Sequence, residues 1–208
     1  MINLHGFYRS SASFRVRIAL NLKGIAYEPI ARDLDRGGHR EPAYLARNPQ
    51  GLVPALEVDG VMLTQTLPII EYLDECYPQP PLLPDSAMAR ARVRALYQVV
   101  AADTHPITSM RVGAYLKEHG FPDAELRAWQ HHWLRRSFDA LEAMLGGDPG
   151  TGRFSHGDEP TLADLALVPQ VYFAHRVGLA MDTWPTVVRI NDTCLAEPAF
   201  ALAHPDRQ

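Results

Sequence analysis

Two adjacent serines, Ser10 and Ser11, lie where a short apolar run at Ile2–Leu4 gives way to a helical pattern that begins at Ser11. Hydroxyl groups and backbone N–H groups gather at such a strand-to-helix turn, at the positive end of the helix dipole. This arrangement can hold an anion, or it can keep a thiol in its thiolate form. A free thiol has a pKa of about 8.5, and a hydroxyl donor beside it would raise the thiolate fraction at neutral pH.

Two further motifs follow this turn. Val53-Pro54 opens an apolar strand pattern, and because proline cannot donate to a strand ladder, it either marks an edge strand or exposes the neighbouring backbone to a ligand. Gln65-Thr66 stands between a strand and a helix. A hydroxyl with helix-terminal N–H groups can hold a carboxylate there, or it can simply cap the helix.

Arginines indicate where an acidic partner could bind. The guanidinium fork matches a carboxylate in bidentate geometry, so two arginines near a thiol would suit a substrate with a carboxylate at each end. Arg9 directly precedes the serines, Arg111 lies near His105-Pro106, where a proline bends or interrupts a helix, and Arg176 falls within the segment 171–176. For each of the three, taken singly, a solvated surface charge is the favoured interpretation.

The composition argues against several classes of function. The 208 residues suffice for two compact domains, but a net charge of −4 gives no electrostatic case for a nucleic-acid partner. No apolar run reaches the roughly 20 residues of a membrane helix, and no secretory signal begins the chain. Cys76 and Cys194 form neither a CxxC pair nor a metal cluster. We therefore expect a cytoplasmic protein with reduced thiols, no metal and no membrane association.

The elements that position these residues can be predicted from periodicity. The first 80 residues alternate strands and helices, with a hairpin turn at Asp59-Gly60 and an edge-strand proline at Pro29. A proline-rich stretch at 77–84 is the natural domain boundary. The predicted strands cover 2–5, 26–31, 53–58 and 61–64, and the predicted helices cover 11–22, 42–46 and 67–76.

The remainder of the chain, from residue 85 to residue 208, is predicted to be helical. Thr161-Leu162-Ala163-Asp164 is typical of a capping box in which Asp164 replaces the commoner glutamate. The Thr161 hydroxyl is expected to accept a hydrogen bond from the Asp164 N–H, and the Asp164 carboxylate is expected to accept one from the Thr161 N–H. Helix initiation is therefore the interpretation favoured for Asp164 over a role in chemistry.

Taken together, these motifs resemble the zeta class of the glutathione transferases, a class that includes maleylacetoacetate and maleylpyruvate isomerases. The resemblance implies an α/β thioredoxin-like N-terminal domain (1–80) that binds glutathione, and an all-α C-terminal domain (85–208) that forms the substrate side of the cleft. The family pattern reads Ser-Ser-Cys at the first turn, and here Ala12 replaces the cysteine. The motifs that carry the resemblance are residues 9–17, Asn48-Pro49-Gln50, Leu52–Leu56, Thr64-Gln65-Thr66, Thr161–Asp164 and Val168-Pro169-Gln170-Val171.

The resemblance also implies roles for individual residues. Ser10 would activate the glutathione thiol, with Ser11 as a second donor that the sequence does not separate from it. The preceding residue of a cis X-Pro bond, Val53, would bind the cysteinyl part of glutathione. Gln65 and Thr66 are implied at the γ-glutamyl end, His39 and Gln50 at the glycyl end, His105, Ser109 and Arg111 as further glutathione contacts, and Arg9 and Arg176 as the substrate-binding arginines.

The function implied is a glutathione-dependent cis–trans isomerase of maleyl keto acids, acting on a small dicarboxylate as a homodimer. Maleylacetoacetate and maleylpyruvate both remain open as substrates. One alternative is a transferase or dehalogenase that attaches glutathione to small electrophiles such as α-halo acids, for which the same site would serve. Another is a non-catalytic module that binds protein partners, although the presence of both serines speaks against it.

Overall fold

The computed structural model describes all 208 residues, which divide into two compact units. Unit 1 contains Met1–Pro81 together with Ala196–Gln208, and unit 2 contains Leu82–Leu195. Numbered along the chain, the strands are β1 (Ile2–Gly6), β2 (Glu28–Ala31), β3 (Ala55–Val58) and β4 (Val61–Thr64). The helices are α1 (Ser11–Leu22), α2 (Pro42–Leu45), α3 (Thr66–Cys76), α4 (Ala87–Gln98), α5 (His105–Thr108), α6 (Met110–Glu118), α7 (Asp123–Leu145), α8 (Leu162–Arg176), α9 (Pro185–Ala196) and α10 (Pro198–Ala203).

The four strands of unit 1 form one mixed sheet in the order β2-β1-β3-β4. β1 runs parallel to β2 and antiparallel to β3, and β3 pairs with β4 through a hairpin. Asp59 and Gly60 form the hairpin turn with φ of 49° and 87°, as the Asp-Gly signal predicts. Pro29 lies in β2 at the sheet edge, where its missing N–H costs no ladder bond. This is the predicted thioredoxin-like arrangement, and the prediction is confirmed.

The helix α1 is the central packing element of unit 1. Its side chains Phe14, Val16, Ile18 and Leu20 are fully buried. α10 packs on the same helix, because the Arg17 guanidinium donates to the Ala203 carbonyl at 2.9 Å. Sequence analysis extended the second domain to residue 208, whereas the last thirteen residues belong to unit 1 by this packing.

Unit 2 is helical throughout its regular structure, as predicted. The N-terminus of α8 carries the expected capping box, in which the Thr161 N–H donates to the Asp164 carboxylate at 2.7 Å. The Thr161 hydroxyl also donates to that carboxylate, at 3.0 Å, and the Ser155 N–H donates to its other oxygen at 2.8 Å. Complete burial raises the pKa of Asp164, while these hydrogen bonds oppose the rise. Asp164 therefore joins the start of α8 to the preceding loop.

The boundaries of two elements differ from the predicted ones near the candidate site. β3 begins at Ala55 rather than Val53, because Val53 and Pro54 form a non-ladder segment with a cis peptide bond between them. α3 begins one residue early, at Thr66. None of the helices is both long enough and apolar enough to cross a membrane.

Candidate functional site

Ser10 is the N-cap residue of α1. Its hydroxyl oxygen accepts a hydrogen bond from the Ser13 N–H at 3.2 Å, and its own N–H donates to the Phe7 carbonyl at 3.0 Å. Because the oxygen serves as acceptor in the cap, the hydroxyl proton can donate to an acceptor beyond the helix end. Ser11 follows as the first helical residue and is buried. The half-buried Ser10 hydroxyl therefore has the better geometry for contacting a ligand thiolate.

The loop before β3 carries Val53. The Val53–Pro54 peptide bond is cis, and no backbone hydrogen bond of the structure uses the N–H or the carbonyl of Val53. The preceding carbonyl, that of Leu52, accepts from the Tyr44 hydroxyl at 2.7 Å and from the Asn48 side-chain amide at 2.8 Å. The main chain of Val53 is thus available for a strand-like partner, which is the property that its predicted role requires.

Gln65 and Thr66 form the start of α3. Gln65 has φ of 68° and ψ of 131°, a conformation that costs a non-glycine residue about 1–3 kcal/mol and that concentrates at ligand-binding sites. Its side-chain amide donates to the Gln50 side-chain oxygen at 2.7 Å, so two residues assigned to opposite ends of the ligand lie in direct contact. The first turn of α3 directs its N–H groups toward this end of the helix, which suits a carboxylate.

His39 lies in a short 3₁₀ turn at Gly38–Arg40 and is half-buried. Burial, and secondarily the neighbouring Arg40, lower the pKa of His39, which favours its neutral form. The His39 carbonyl lies 3.1 Å from the point that a Cβ on Gly51 would occupy, and Gly51 has φ of 58°. Glycine at this position lets the His39 turn approach the loop that leads to Val53.

Arg9 is positioned by contacts on two sides. Its guanidinium forms an ion pair with Asp35 and lies over the rings of Phe7 and Tyr8, 5.3 and 5.2 Å from their centroids. The aromatic faces favour a cation, and the Asp35 carboxylate orients it. The pairing with Asp35 could not be predicted from the sequence, because the two residues are 26 positions apart and lie in irregular segments.

Within unit 2, three predicted glutathione contacts lie around the short helix α5. His105 is its first residue, after a π-helical stretch at Val99–Thr104, and Pro106 follows. The Ser109 hydroxyl donates to the Pro106 carbonyl at 2.8 Å, and Ser109 is the N-cap residue of α6, which carries the exposed Arg111. A π-helical turn precedes Pro106, and the helical backbone is interrupted three residues later, at Ser109, which is extended. The ligand contacts of these three residues stay predictions.

Arg176, the predicted substrate-binding arginine of unit 2, is the last residue of α8 and is exposed. Its guanidinium lies 5.8 Å from the centroid of the Tyr172 ring, one helical turn earlier. A cation at a helix C-terminus is also favoured by the helix dipole, so its position is compatible with either interpretation given in the sequence analysis.

The structure thus groups the predicted residues of unit 1 in pairs: Arg9 beside Ser10, Gln50 against Gln65, and the His39 turn against the loop of Val53. In unit 2 it groups His105, Ser109 and Arg111. Sequence analysis missed Asp35, Tyr44 and Asn48. The Asn48-Pro49 dipeptide was the available signal for Asn48, and no pattern indicated the other two.

Comparison with known proteins gives this geometry a family. The model for the glutathione S-transferase N-terminal domain matches residues 4–81, and the model for the C-terminal domain matches residues 124–191. The maleylacetoacetate isomerase of Pseudomonas aeruginosa is 47% identical over 210 residues, covering 100% of this chain and 97% of that protein. A solved holo structure of a maleylpyruvate isomerase, described as a bacterial glutathione S-transferase of the zeta class, superposes with a TM-score of 0.97 at 46% identity. The superposition covers 99% of this chain and 98% of the maleylpyruvate isomerase chain.

The chain belongs to the zeta class of the glutathione S-transferase family. A second solved zeta-like neighbour is the maleylacetoacetate isomerase of Methylobacterium extorquens AM1, whose structure contains malonate and glutathione. It has a TM-score of 0.96, is 46% identical, and covers 99% of this chain and 97% of its own. The departure at Ala12, buried in the first turn of α1, thus occurs in a chain that keeps the family fold throughout its length.

Proposed function

We propose that this zeta-class glutathione S-transferase is a glutathione-dependent cis–trans isomerase of maleyl keto acids. The observation that carries the proposal is the Ser10 hydroxyl at the N-terminus of α1, whose oxygen accepts in the helix cap, so that its proton is available to a ligand. The names of relatives at 46–47% identity over essentially the whole chain support the same activity. Maleylacetoacetate and maleylpyruvate are both within the proposal.

The residues of unit 1 fit glutathione along its whole length, so unit 1 (residues 1–80 in the main) is the glutathione-binding domain. The start of α3, with Gln65 and Thr66, holds the γ-glutamyl carboxylate through N–H groups and a hydroxyl. The main chain of Val53, which has no backbone partner, pairs with the cysteinyl residue. Gln50 and the neutral His39 bind the glycyl end.

When bound, glutathione supplies a thiolate that adds reversibly to the electron-poor double bond, which becomes single and can rotate before the thiolate leaves. The protein's part is to lower the pKa of the thiol and to hold the substrate. The Ser10 hydroxyl donates to the sulfur, and Ser11 adds a second donor. Because the N-terminus of α1 lies at the same place, the helix dipole favours the anion as well.

Arginines hold the two carboxylates of the substrate. Arg9 binds the carboxylate nearer to the sulfur and exchanges or shares its Asp35 partner when it does so. Arg176 lies in unit 2, within the domain predicted from sequence at residues 85–208, and binds the farther carboxylate. Malonate, a small dicarboxylate, is bound together with glutathione in the relative from Methylobacterium extorquens AM1, which supports a dicarboxylate substrate. His105, Ser109 and Arg111 are the proposed glutathione contacts of unit 2.

Ala12 limits the chemistry available at this site. No thiol of the protein is present at the position that carries cysteine in the family pattern, so the proposed isomerase reaction uses no protein cysteine there. Conjugation or dehalogenation of α-halo acids uses the same thiolate with a leaving group in place of the double bond. It is the second candidate function, and Ala12 weakens any form of it that depends on a protein cysteine.

A single ultraviolet assay separates these functions. Maleylpyruvate and maleylacetoacetate are each incubated with the protein, with and without glutathione, and free thiol is measured at the end. An isomerase requires glutathione and leaves it unconsumed, whereas a conjugating enzyme depletes it in proportion to product. Absence of turnover with both maleyl acids, together with turnover of a halo acid, would replace the proposal by the second candidate.

The protein is proposed to act as a homodimer in the cytoplasm. Each unit exposes a large apolar side chain: Val61 on edge strand β4 is 63% exposed, and Met88 on α4 is 81% exposed. Single exposed side chains do not by themselves indicate an interface, so the dimer is proposed from the family resemblance. Neither Cys76 nor Cys194 forms a disulfide bond, which suits a reducing compartment. Sedimentation that detects only monomer at micromolar concentration would contradict the dimer.

A further inference from the structure

One carbonyl in unit 1 receives two side-chain hydrogen bonds. The Leu52 carbonyl accepts from the Tyr44 hydroxyl at 2.7 Å and from the Asn48 amide at 2.8 Å. The same Asn48 amide donates to the Tyr44 hydroxyl at 3.1 Å, so the three groups form a closed triangle. Tyr44 and Asn48 are each only 1% exposed, which keeps water from replacing either bond.

The ring of Tyr44 is itself held on both sides. The Arg32 guanidinium lies 4.7 Å from the ring centroid, and the His5 ring lies 5.6 Å away. Arg32 is in turn fixed by an ion pair with Glu41 at 3.1 Å and by its N–H donation to the Gly6 carbonyl at 2.7 Å. The Tyr44 hydroxyl that contacts Leu52 is therefore held in position by the packing of its ring.

Asn48 is held by the backbone. Its N–H donates to the Tyr44 carbonyl at 2.8 Å, and its carbonyl accepts from the Gly51 N–H at 2.9 Å. The side-chain oxygen of Asn48 is buried and has no hydrogen-bond partner. A buried acceptor without a partner costs stability. The side chain of Asn48 therefore contributes hydrogen bonds only through its amide nitrogen, which faces the Leu52 carbonyl.

Fixing the Leu52 carbonyl also fixes the Val53 N–H. The two groups belong to one planar trans peptide unit and point in opposite directions, so the N–H of Val53 is turned away from Tyr44 and Asn48. No backbone group of the protein accepts from it. Because the cysteinyl residue of glutathione offers one carbonyl and one N–H, the outward Val53 N–H is the natural donor to that carbonyl.

We propose that Tyr44 and Asn48 are positioning residues for glutathione: they orient the Leu52–Val53 peptide so that Val53 binds the cysteinyl carbonyl. This inference rests on the proposed function, because it assumes that glutathione is the ligand of unit 1. Neither side chain touches the reacting atoms. Their loss therefore weakens glutathione binding and leaves the bound substrate's chemistry unchanged.

The test uses Tyr44→Phe, which keeps the ring and removes only the hydroxyl. Titration calorimetry should give a glutathione Kd raised by about threefold to tenfold, the effect of one net hydrogen bond, with kcat and the substrate KM unchanged at saturating glutathione. Tyr27→Phe removes a hydroxyl elsewhere in unit 1 and is the matched control, with wild-type Kd expected. Asn48→Ala is the second variant and should raise the Kd at least as much.

A glutathione analogue distinguishes positioning from a general loss of structure. In this analogue an alkene replaces the cysteinyl–glycyl peptide bond, so the cysteinyl carbonyl is absent. Tyr44→Phe should then change the Kd by less than about twofold, because the contact that it supports no longer exists. An equal loss for glutathione and the analogue, or an unchanged glutathione Kd in Tyr44→Phe, would overturn the inference. A wild-type protein that binds no glutathione would overturn the proposed function instead.

Discussion

Replacing Ser10 by alanine removes a hydroxyl that caps a helix and for which we propose a second role. Its oxygen caps α1 by accepting from the Ser13 N–H at 3.2 Å, and its proton is proposed to stabilise the glutathione thiolate. The first use affects the stability of the fold, and the second affects turnover. The two effects can be measured separately, because the rest of glutathione is held by other groups.

The magnitudes follow from the two contacts. Loss of a serine N-cap costs about 1 kcal/mol of unfolding free energy, which lowers the Tm of a protein of this size by roughly 2–4 °C. Loss of one hydrogen bond to a charged group costs about 1.5–3 kcal/mol, which corresponds to a fall in kcat of about tenfold to 150-fold. The Kd for glutathione should change little, since Val53, Gln65 and Thr66 remain.

The assay combines thermal unfolding, kcat at saturating glutathione, and the pKa of the bound thiol followed by thiolate absorbance. Ser10→Asp is the matched variant: aspartate caps a helix as well as serine does, but its charge repels the thiolate. It should keep the wild-type Tm, raise the thiol pKa and lose at least as much kcat as Ser10→Ala. Full activity in Ser10→Ala, with Ser11→Ala inactive, would refute the assignment of the thiolate to Ser10.

Three further outcomes are expected. Arg176→Ala should raise the KM for the maleyl acid and leave the glutathione Kd unchanged. Arg176→Lys should restore the KM only in part, since an ammonium lacks the bidentate fork. An unchanged KM for Arg176→Ala in steady-state kinetics would show that Arg176 is a surface charge. Asp164→Ala strands the buried N–H groups of Ser155 and Thr161 and should lower the unfolding free energy in urea by at least about 2 kcal/mol, with Asp182→Ala as an exposed control. Burial lowers the pKa of His5, so His5 stays neutral in the folded state at a pH where the unfolded chain already binds a proton, near about pH 6.5. Protonation therefore favours the unfolded chain, and the unfolding free energy should fall as the pH is lowered from about 7 to about 5. That fall should be smaller in His5→Gln, and an identical pH dependence would contradict this reasoning.

Much of unit 1 could be predicted because its signals are local. The N-cap of Ser10, the Asp59-Gly60 turn and the edge position of Pro29 each follow from the conformational preference of one or two residues. The capping box of Asp164 was predicted for the same reason, and both of its expected hydrogen bonds are present; the Thr161 hydroxyl also donates to the Asp164 carboxylate. Local preferences act within three or four residues, which is the range over which a sequence pattern can be interpreted directly.

Contacts between distant residues were decided only by the tertiary structure. Glu57 illustrates this: Arg47, His5 and Asn3 meet it across the sheet and lower its pKa to about 2. The pairing of Arg9 with Asp35 and the packing of α10 on α1 are of the same kind. A side chain's partner across a fold depends on strand order and loop path, which arise from packing the whole core. The sequence by itself therefore determined which groups could do the chemistry, and the tertiary structure decided which neighbours orient them.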